Sequence, residues 1–140
     1  MRDSLLVAVY GTLRAGFGNH TLLNGAVLVG QGRTVPEFTM LSAGFPVCLQ
    51  GDTGAPKAPA VVEVYDLGAA PDPERVLNRL DTLEGHPDWY QRQPIEVVLD
   101  SGKKCTAWMY IMPGDVTDFP SWRHVQSGDY AKHRYEVQHG

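Results

Sequence analysis

The 140-residue sequence has only two cysteines, Cys48 and Cys105, and their separation does not match the close pairs of metal-ligating cysteines. The first residues include a short apolar run but no cleavage-site pattern, so nothing there resembles a signal peptide. We therefore expect both cysteines to be buried free thiols in a cytoplasmic protein, rather than the two halves of a disulfide.

Clustered positive charge and long apolar runs are also missing. The formal net charge is −4 and no run of Lys and Arg occurs, which argues against a nucleic-acid-binding surface. No apolar stretch approaches the roughly 20 residues of a membrane helix. We expect neither nucleic acid nor membrane as a partner.

A composition of 43% hydrophobic and 20% charged residues is ordinary, and the length fits one domain over residues 1–140. The oligomeric state stays open.

Most of the sequence predicts β-strands. The apolar run at residues 5–10 stops at Gly11 and is typical of a strand buried on both faces. Residues 51–60 predict a Gly/Pro-rich surface loop. The tail from Pro113 onward contains aromatic residues but shows no clear periodicity. Further strands are predicted at residues 25–35, on both sides of a turn at Ala43–Gly44, at residues 61–67, and in a hairpin over residues 94–112 that turns at Ser101–Gly102.

One helix is predicted among these strands, within residues 71–85. Asp72 is suited to the N-cap and Pro73 to the first helical position, while Gly85 is a natural stop. Helical spacing places four apolar residues on one face: Val76, Leu77, Leu80 and Leu83.

Glu84 is the most unusual residue of this helix. It lies four residues after Leu80 and seven after Leu77, on or beside the apolar face. Apolar surroundings and the C-terminal end of the helix dipole both disfavour a negative charge, so both would raise the pKa of its carboxyl group. Such an acid is a candidate functional group. The alternative is an ordinary helix-end acid in water.

The segment "GHPDWYQR" follows this acid and combines aromatic with polar side chains. Aromatic walls with a few polar groups are typical of a small-molecule pocket. Trp89 alone is better explained by core packing, and His86 by an exposed turn. Arg92 has three open roles, which are pairing with Glu84, pairing with Asp81, or facing solvent.

The motifs "VYGTLRAGFGNH" and "LDTLEGHPDWYQR" together resemble the gamma-glutamylcyclotransferase-like family, also called AIG2-like. The second motif is most similar to the gamma-glutamylamine cyclotransferase branch, in which an acid-Gly-x-Pro segment leads into Tyr-x-Arg. The resemblance implies an α+β fold, namely a small mixed domain with a barrel-like β-sheet, one main helix and a substrate pocket at one end.

The resemblance also implies roles for individual residues. Glu84 matches the catalytic acid of the family, and Tyr90 matches an aromatic residue near the pocket. Arg14 and Asn19 fall within the pattern of the first motif. The substrate loop, whose backbone N–H groups would hold the α-carboxylate of a γ-glutamyl group, corresponds to Tyr10, Gly11, Thr12 and Leu13.

The implied reaction suits these residues. The α-amino group of a γ-glutamyl compound attacks its own γ-carbonyl, which gives 5-oxoproline and a free amine. A Glu whose pKa is raised toward about 6–7 could accept the amino proton and return it to the leaving amine. Gly11 would let backbone amides approach an anion closely, and a tight strand connection would be the preferred explanation for this loop only without Glu84. Neither a metal nor an organic cofactor is required.

Two other functions remain open. A binding module on the same fold would capture a small metabolite or nucleotide without converting it. A small interaction protein would instead use exposed Trp and Tyr side chains. The Glu84 carboxylate favours the enzyme over the binding module, because binding alone does not require an acid in such a costly position.

Overall fold

Seven strands, one α-helix and a short 3-10 helix at Leu67–Ala69 form the regular structure in the part of the chain that the computed structural model describes. That part comprises residues 5–10, 26–42, 46–50, 56–69, 72–84, 90–114, 118–125 and 128–130, without the side chains of Ala69, Leu83 and Glu84. Within it, no helix is long and apolar enough to cross a membrane. The elements in chain order are β1 (Leu6–Val9), β2 (Val27–Ser42), β3 (Pro46–Leu49), β4 (Ala58–Asp66), α1 (Pro73–Glu84), β5 (Gln91–Leu99), β6 (Lys104–Ile111) and β7 (Arg123–His124).

Five of the strands close into a barrel. Their order is β2–β4–β1–β6–β5, and β5 returns to β2 through pairs between residues 97–99 and 32–34. β1 and β6 are parallel, and the other neighbours are antiparallel. β3 and β7 lie outside the ring and pair with the C-terminal end of β2, at residues 39–42. The predicted α+β fold, with a barrel-like sheet and one main helix, is confirmed.

Alternate residues of the same strands build two apolar clusters. In β1, Ala8 belongs to the cluster inside the barrel, whereas Val7 and Val9 belong to the cluster outside it. The outer cluster also contains Val76 and Leu80 of α1. The helix therefore packs against the outer face of the sheet. β1 is buried on both faces, as the continuous apolar run predicts.

Local signals set the bounds of α1. The Asp72 carboxylate accepts a 3.1 Å hydrogen bond from the Arg75 N–H, which confirms the predicted N-cap. Pro73 is the first helical residue and Glu84 the last, immediately before Gly85. Val76 and Leu80 are buried and Leu77 is half-buried, so the predicted apolar face is confirmed at these three positions. The Leu83 side chain lies outside the described residues.

β2 differs from the sequence prediction, because residues 27–42 form one strand rather than two. Pro36 lies inside it, at a register shift between Arg33 and Glu37. The Thr34 hydroxyl accepts a 2.8 Å hydrogen bond from the Ala60 N–H and donates one of 2.7 Å to the Pro36 carbonyl. A side chain thus replaces part of the hydrogen-bond ladder, and proline, which lacks an N–H, is tolerated at this bulge.

The remaining strand predictions are confirmed with shifted bounds. β4 begins at Ala58, inside the segment predicted to be a loop. The β5–β6 hairpin turns as predicted, with Gly102 at φ +90° and its N–H donating to the Leu99 carbonyl at 2.8 Å. The tail, which shows no hydrophobic periodicity, nevertheless packs against the barrel. The Val61 N–H donates to the Gly128 carbonyl at 2.8 Å, and Tyr130 is buried in the inner cluster.

Candidate active site at one end of the barrel

The strand register brings one described residue from each sequence motif, Tyr10 and Tyr90, to the same end of the barrel. Gln91, the first residue of β5, pairs with Ile111, the last residue of β6. β6 runs parallel to β1, with Val7 opposite Trp108, so β6 and β1 end on the same side. Tyr10, at the end of β1, therefore lies at the end of the barrel where β5 begins.

Tyr10 is buried and belongs to the inner cluster. Its hydroxyl donates a 2.6 Å hydrogen bond to the main-chain carbonyl of Tyr110 in β6. Beside it, burial raises the pKa of the Cys48 thiol far above its ordinary value, and a hydrogen bond with Tyr10 lowers it by less. Cys48 is therefore a neutral thiol at physiological pH rather than a nucleophile.

Both cysteines are free, as expected from the sequence, although Cys105 is only half-buried. Desolvation raises the pKa of Cys105 as well. Among the residues that the structure describes, no group of three His, Cys, Asp or Glu side chains could hold a metal ion.

Tyr90 lies at the same end of the barrel, directly before β5. Its side chain is buried in the outer cluster, and its hydroxyl donates a 2.7 Å hydrogen bond to the Pro46 carbonyl. This bond connects the beginning of β5 to β3, so the Tyr90 side chain contributes to the packing of this end of the barrel.

The other predicted site residues cannot be placed in the same way. Glu84 is the last residue of α1, but its side chain lies outside the described residues, as do His86 and Trp89. The loop residues outside the description are Gly11, Thr12, Leu13, Arg14 and Asn19.

Asp81 connects the last turn of α1 to the barrel. Its two carboxylate oxygens accept hydrogen bonds from Arg92, at 2.9 Å from Nε and 3.3 Å from Nη2. The Tyr110 hydroxyl donates a third bond, of 2.6 Å, to Asp81 Oδ1. Of the three roles left open for Arg92, the structure thus shows pairing with Asp81. A two-pronged ion pair fixes orientation as well as distance.

Trp108 completes this group from β6. The Arg92 Cζ atom lies 4.4 Å from the centroid of the Trp108 ring, within the range of a cation–π interaction. Sequence reasoning considered Asp81 only as a partner for Arg92 and overlooked Trp108 and Tyr110. The available signal was Asp81 itself, an acid in the last helical turn, where the dipole disfavours it.

Comparison with known proteins identifies the family. Residues 7–132 match the model of the family described as "Gamma-glutamyl cyclotransferase, AIG2-like". A Methanocaldococcus jannaschii protein named "Putative gamma-glutamylcyclotransferase" is 37% identical over 130 residues, which cover 91% of this chain and 97% of that protein. A Vibrio cholerae protein with the same designation is 38% identical over 107 residues, which cover 76% of this chain and 80% of that protein.

A solved structure has the same architecture. The crystal structure of an AIG2-like protein from Mus musculus superposes with a TM-score of 0.71 at 25% identity, over 91% of this chain and 90% of that one. The match to the family model extends over most of the chain, from within β1 to beyond Tyr130. The chain therefore belongs to the gamma-glutamyl cyclotransferase, AIG2-like family.

Proposed function

We propose that this protein is a cyclotransferase that converts a γ-glutamyl amine or γ-glutamyl amino acid into 5-oxoproline and the free amine. The observation that carries the proposal is the family match over residues 7–132, which spans both sequence motifs. The strand register supports the proposal, because it places Tyr10 and Tyr90 at one end of the barrel. Tyr10 directly precedes the first glycine of one motif, and Tyr90 belongs to the other motif. We place the reaction in the cytoplasm, in keeping with the two free thiols.

The proposed reaction forms one bond and breaks one. The α-amino nitrogen attacks the γ-carbonyl carbon and closes the five-membered lactam, and the bond from that carbon to the leaving amine nitrogen breaks. An α-ammonium group has a pKa near 8 and is mostly protonated at neutral pH. Glu84 accepts one proton from this ammonium group and delivers it to the departing nitrogen. The attacking nitrogen loses a second proton as the lactam forms, and that proton passes through solvent to the released amine, so Glu84 ends in its initial state.

Positioning supplies much of the remaining acceleration. Both reacting groups belong to one substrate molecule, so a site that keeps the γ-glutamyl chain folded lowers the entropic part of the barrier. In the proposal, the backbone N–H groups of residues 10–13 hold the α-carboxylate. We expect these residues and Glu84 to line one cavity. A structure with the Glu84 carboxylate on the opposite side of the domain from the Gly11 amide would contradict this arrangement.

The decisive experiment is an assay of 5-oxoproline release over a panel of γ-glutamyl amino acids, γ-glutamyl-ε-lysine and other γ-glutamyl amines. We expect turnover of at least one class. Glu84→Gln should lower kcat by about 10²–10⁴-fold, because the amide cannot accept the proton, while substrate binding persists. Glu74→Gln is the matched control, since Glu74 is an exposed acid in the first turn of the same helix and should leave the rate unchanged.

Other results would lead to other functions. Without turnover across the panel but with tight binding of an unrelated metabolite, the protein would be a binding module. If Glu84→Gln were as fast as the wild type, the cyclotransferase would stand but Glu84 would be a solvated helix-end acid.

A further inference from the structure

The last turn of α1 is attached to the barrel by Asp81. Residues 81–84 contain two acids and no basic residue, an arrangement that the helix dipole disfavours. Arg92 of β5 and the Tyr110 hydroxyl of β6 provide the compensation from outside the helix, through three hydrogen bonds to Asp81. Asp81 and Arg92 are each 18% exposed, so this pair is largely shielded from water.

Tyr110 joins this attachment to the end of β1. Its hydroxyl donates to Asp81 on the outer face of the sheet, at 2.6 Å. Its main-chain carbonyl accepts the Tyr10 hydroxyl, which comes from inside the barrel, also at 2.6 Å. One residue of β6, which belongs to neither sequence motif, therefore contacts both the residue before Gly11 and the last turn that carries Glu84.

The spacing along the helix makes this contact relevant to Glu84. Residues three apart share a helix face, and a rise of 1.5 Å per residue places the Glu84 main chain about 4.5 Å beyond that of Asp81. A helix end readily frays or rotates when its final turn lacks tertiary contacts. The attachment of Asp81 to two strands limits such movement directly before Glu84.

We propose that Asp81 and Tyr110 are positioning residues, which hold the last turn of α1 against the barrel and thereby fix the main chain that carries Glu84 relative to Tyr10. This inference rests on the proposed function, because it assigns Asp81 and Tyr110 an effect on catalysis through Glu84. Arg92 supports the same contact from the side, stacked on Trp108. None of these residues is required to touch the substrate.

The test compares Tyr110→Phe and Asp81→Asn with the wild type, using the γ-glutamyl compound that the wild type converts fastest. Tyr110→Phe removes only the hydroxyl and keeps the carbonyl that Tyr10 contacts. We expect kcat to fall by about 10–100-fold, since a misplacement of about 1 Å can cost that much, while KM changes by less than about twofold. Hydrogen exchange at the amides of residues 82–84, a readout independent of activity, should become faster.

Tyr65→Phe is the matched control. The Tyr65 hydroxyl also donates to a carboxylate, that of Glu63 at 2.9 Å, and its side chain is buried in the same outer cluster as Tyr110. That bond lies within β4 and does not reach the helix, so Tyr65→Phe should leave both kcat and the exchange of residues 82–84 near their wild-type values.

The outcomes separate this inference from the proposed function. Wild-type release of 5-oxoproline together with an unaltered kcat in Tyr110→Phe would overturn the positioning role and leave the cyclotransferase intact. An equal loss of kcat in Tyr65→Phe would also overturn it, because any disturbance of the outer cluster would then suffice. Absence of release by the wild type across the whole panel would overturn the proposed function, and this inference with it.

Discussion

Tyr110 and Asp81 are joined by a 2.6 Å hydrogen bond although 29 residues separate them in the chain. The bond crosses from the outer face of β6 to the last turn of α1. It belongs to a contact in which Arg92 approaches the same carboxylate from β5. The helix end that carries Glu84 is thus attached to β5 and β6, and β6 lies beside β1.

The first prediction concerns the glycine after β1. In Gly11→Val, a side chain should obstruct the close approach of an anion to the backbone amides, so affinity for γ-glutamyl compounds should fall while the protein still folds. Titration calorimetry with the best substrate in the Glu84→Gln background would measure the affinity without turnover. A folded Gly11→Val protein with unchanged affinity would mean that the loop is merely a connection.

The second prediction concerns the closure of the barrel, where β2 and β5 approach closely at Gly32. A Cβ atom on Gly32 would clash with the Val98 carbonyl oxygen and lie 2.8 Å from Leu99 Cα. Because both atoms belong to the backbone, Gly32→Ala should lower the free energy of unfolding by about 1–3 kcal/mol or more. Urea unfolding at constant m-value would measure this loss.

Gly30 provides the matched control for that experiment. A Cβ atom there would meet Leu99 Cδ2 at 3.8 Å, an ordinary contact, so Gly30→Ala should change the free energy of unfolding by less than about 0.5 kcal/mol. Equal losses at the two glycines would show that strand propensity, rather than the close approach, makes Gly32 necessary.

The third prediction concerns the N-cap of α1. Asp72→Ala removes the acceptor for the Arg75 N–H and should cost about 0.5–2 kcal/mol of the free energy of unfolding. Asp72→Asn retains an acceptor and should stay within about 0.5 kcal/mol of the wild type. Chemical unfolding of the three proteins at pH 7 would measure both effects. An Asn variant as unstable as the Ala variant would argue against the cap.

The fourth prediction concerns stability at alkaline pH. Burial raises the pKa of the Cys48 thiol in the folded protein above its ordinary value of about 9. Above that pH the unfolded chain loses a proton that the folded chain retains, so the free energy of unfolding should decrease as pH rises, by up to about 1.4 kcal/mol per pH unit from this group. Below about pH 9 the Cys48 thiol is protonated in both the folded and the unfolded chain, so its contribution to the free energy of unfolding is fully present.

Variants isolate the Cys48 contribution from that of other titrating groups. The decrease between pH 8.5 and 10.5, measured by urea unfolding, should be shallower in Cys48→Ala than in the wild type. Cys105→Ala should have a smaller effect on the slope, because Cys105 is only half-buried. Identical slopes for the wild type and Cys48→Ala would mean that the folded protein tolerates the thiolate.

The sequence by itself determined the features whose causes lie within a few residues of each other. The cap at Asp72, Pro73 at the first helical position and the glycine after Glu84 were enough to predict the bounds of α1, because capping acts over one turn. The period of the apolar residues predicted the strands, and Gly102 predicted the turn of the β5–β6 hairpin. The two motifs identified the family, and hence the barrel-like fold.

Tertiary structure alone decided the features that join distant residues. The continuity of β2 through Pro36 depends on the Thr34 hydroxyl meeting the Ala60 N–H across the sheet. The partner of Arg92 depends on how α1 lies on β5, which places Asp81 within hydrogen-bond distance. The contact between Tyr10 and the Tyr110 carbonyl spans 100 residues. Such contacts follow from strand register and packing geometry, which no local pattern encodes, because each is fixed only when the barrel closes.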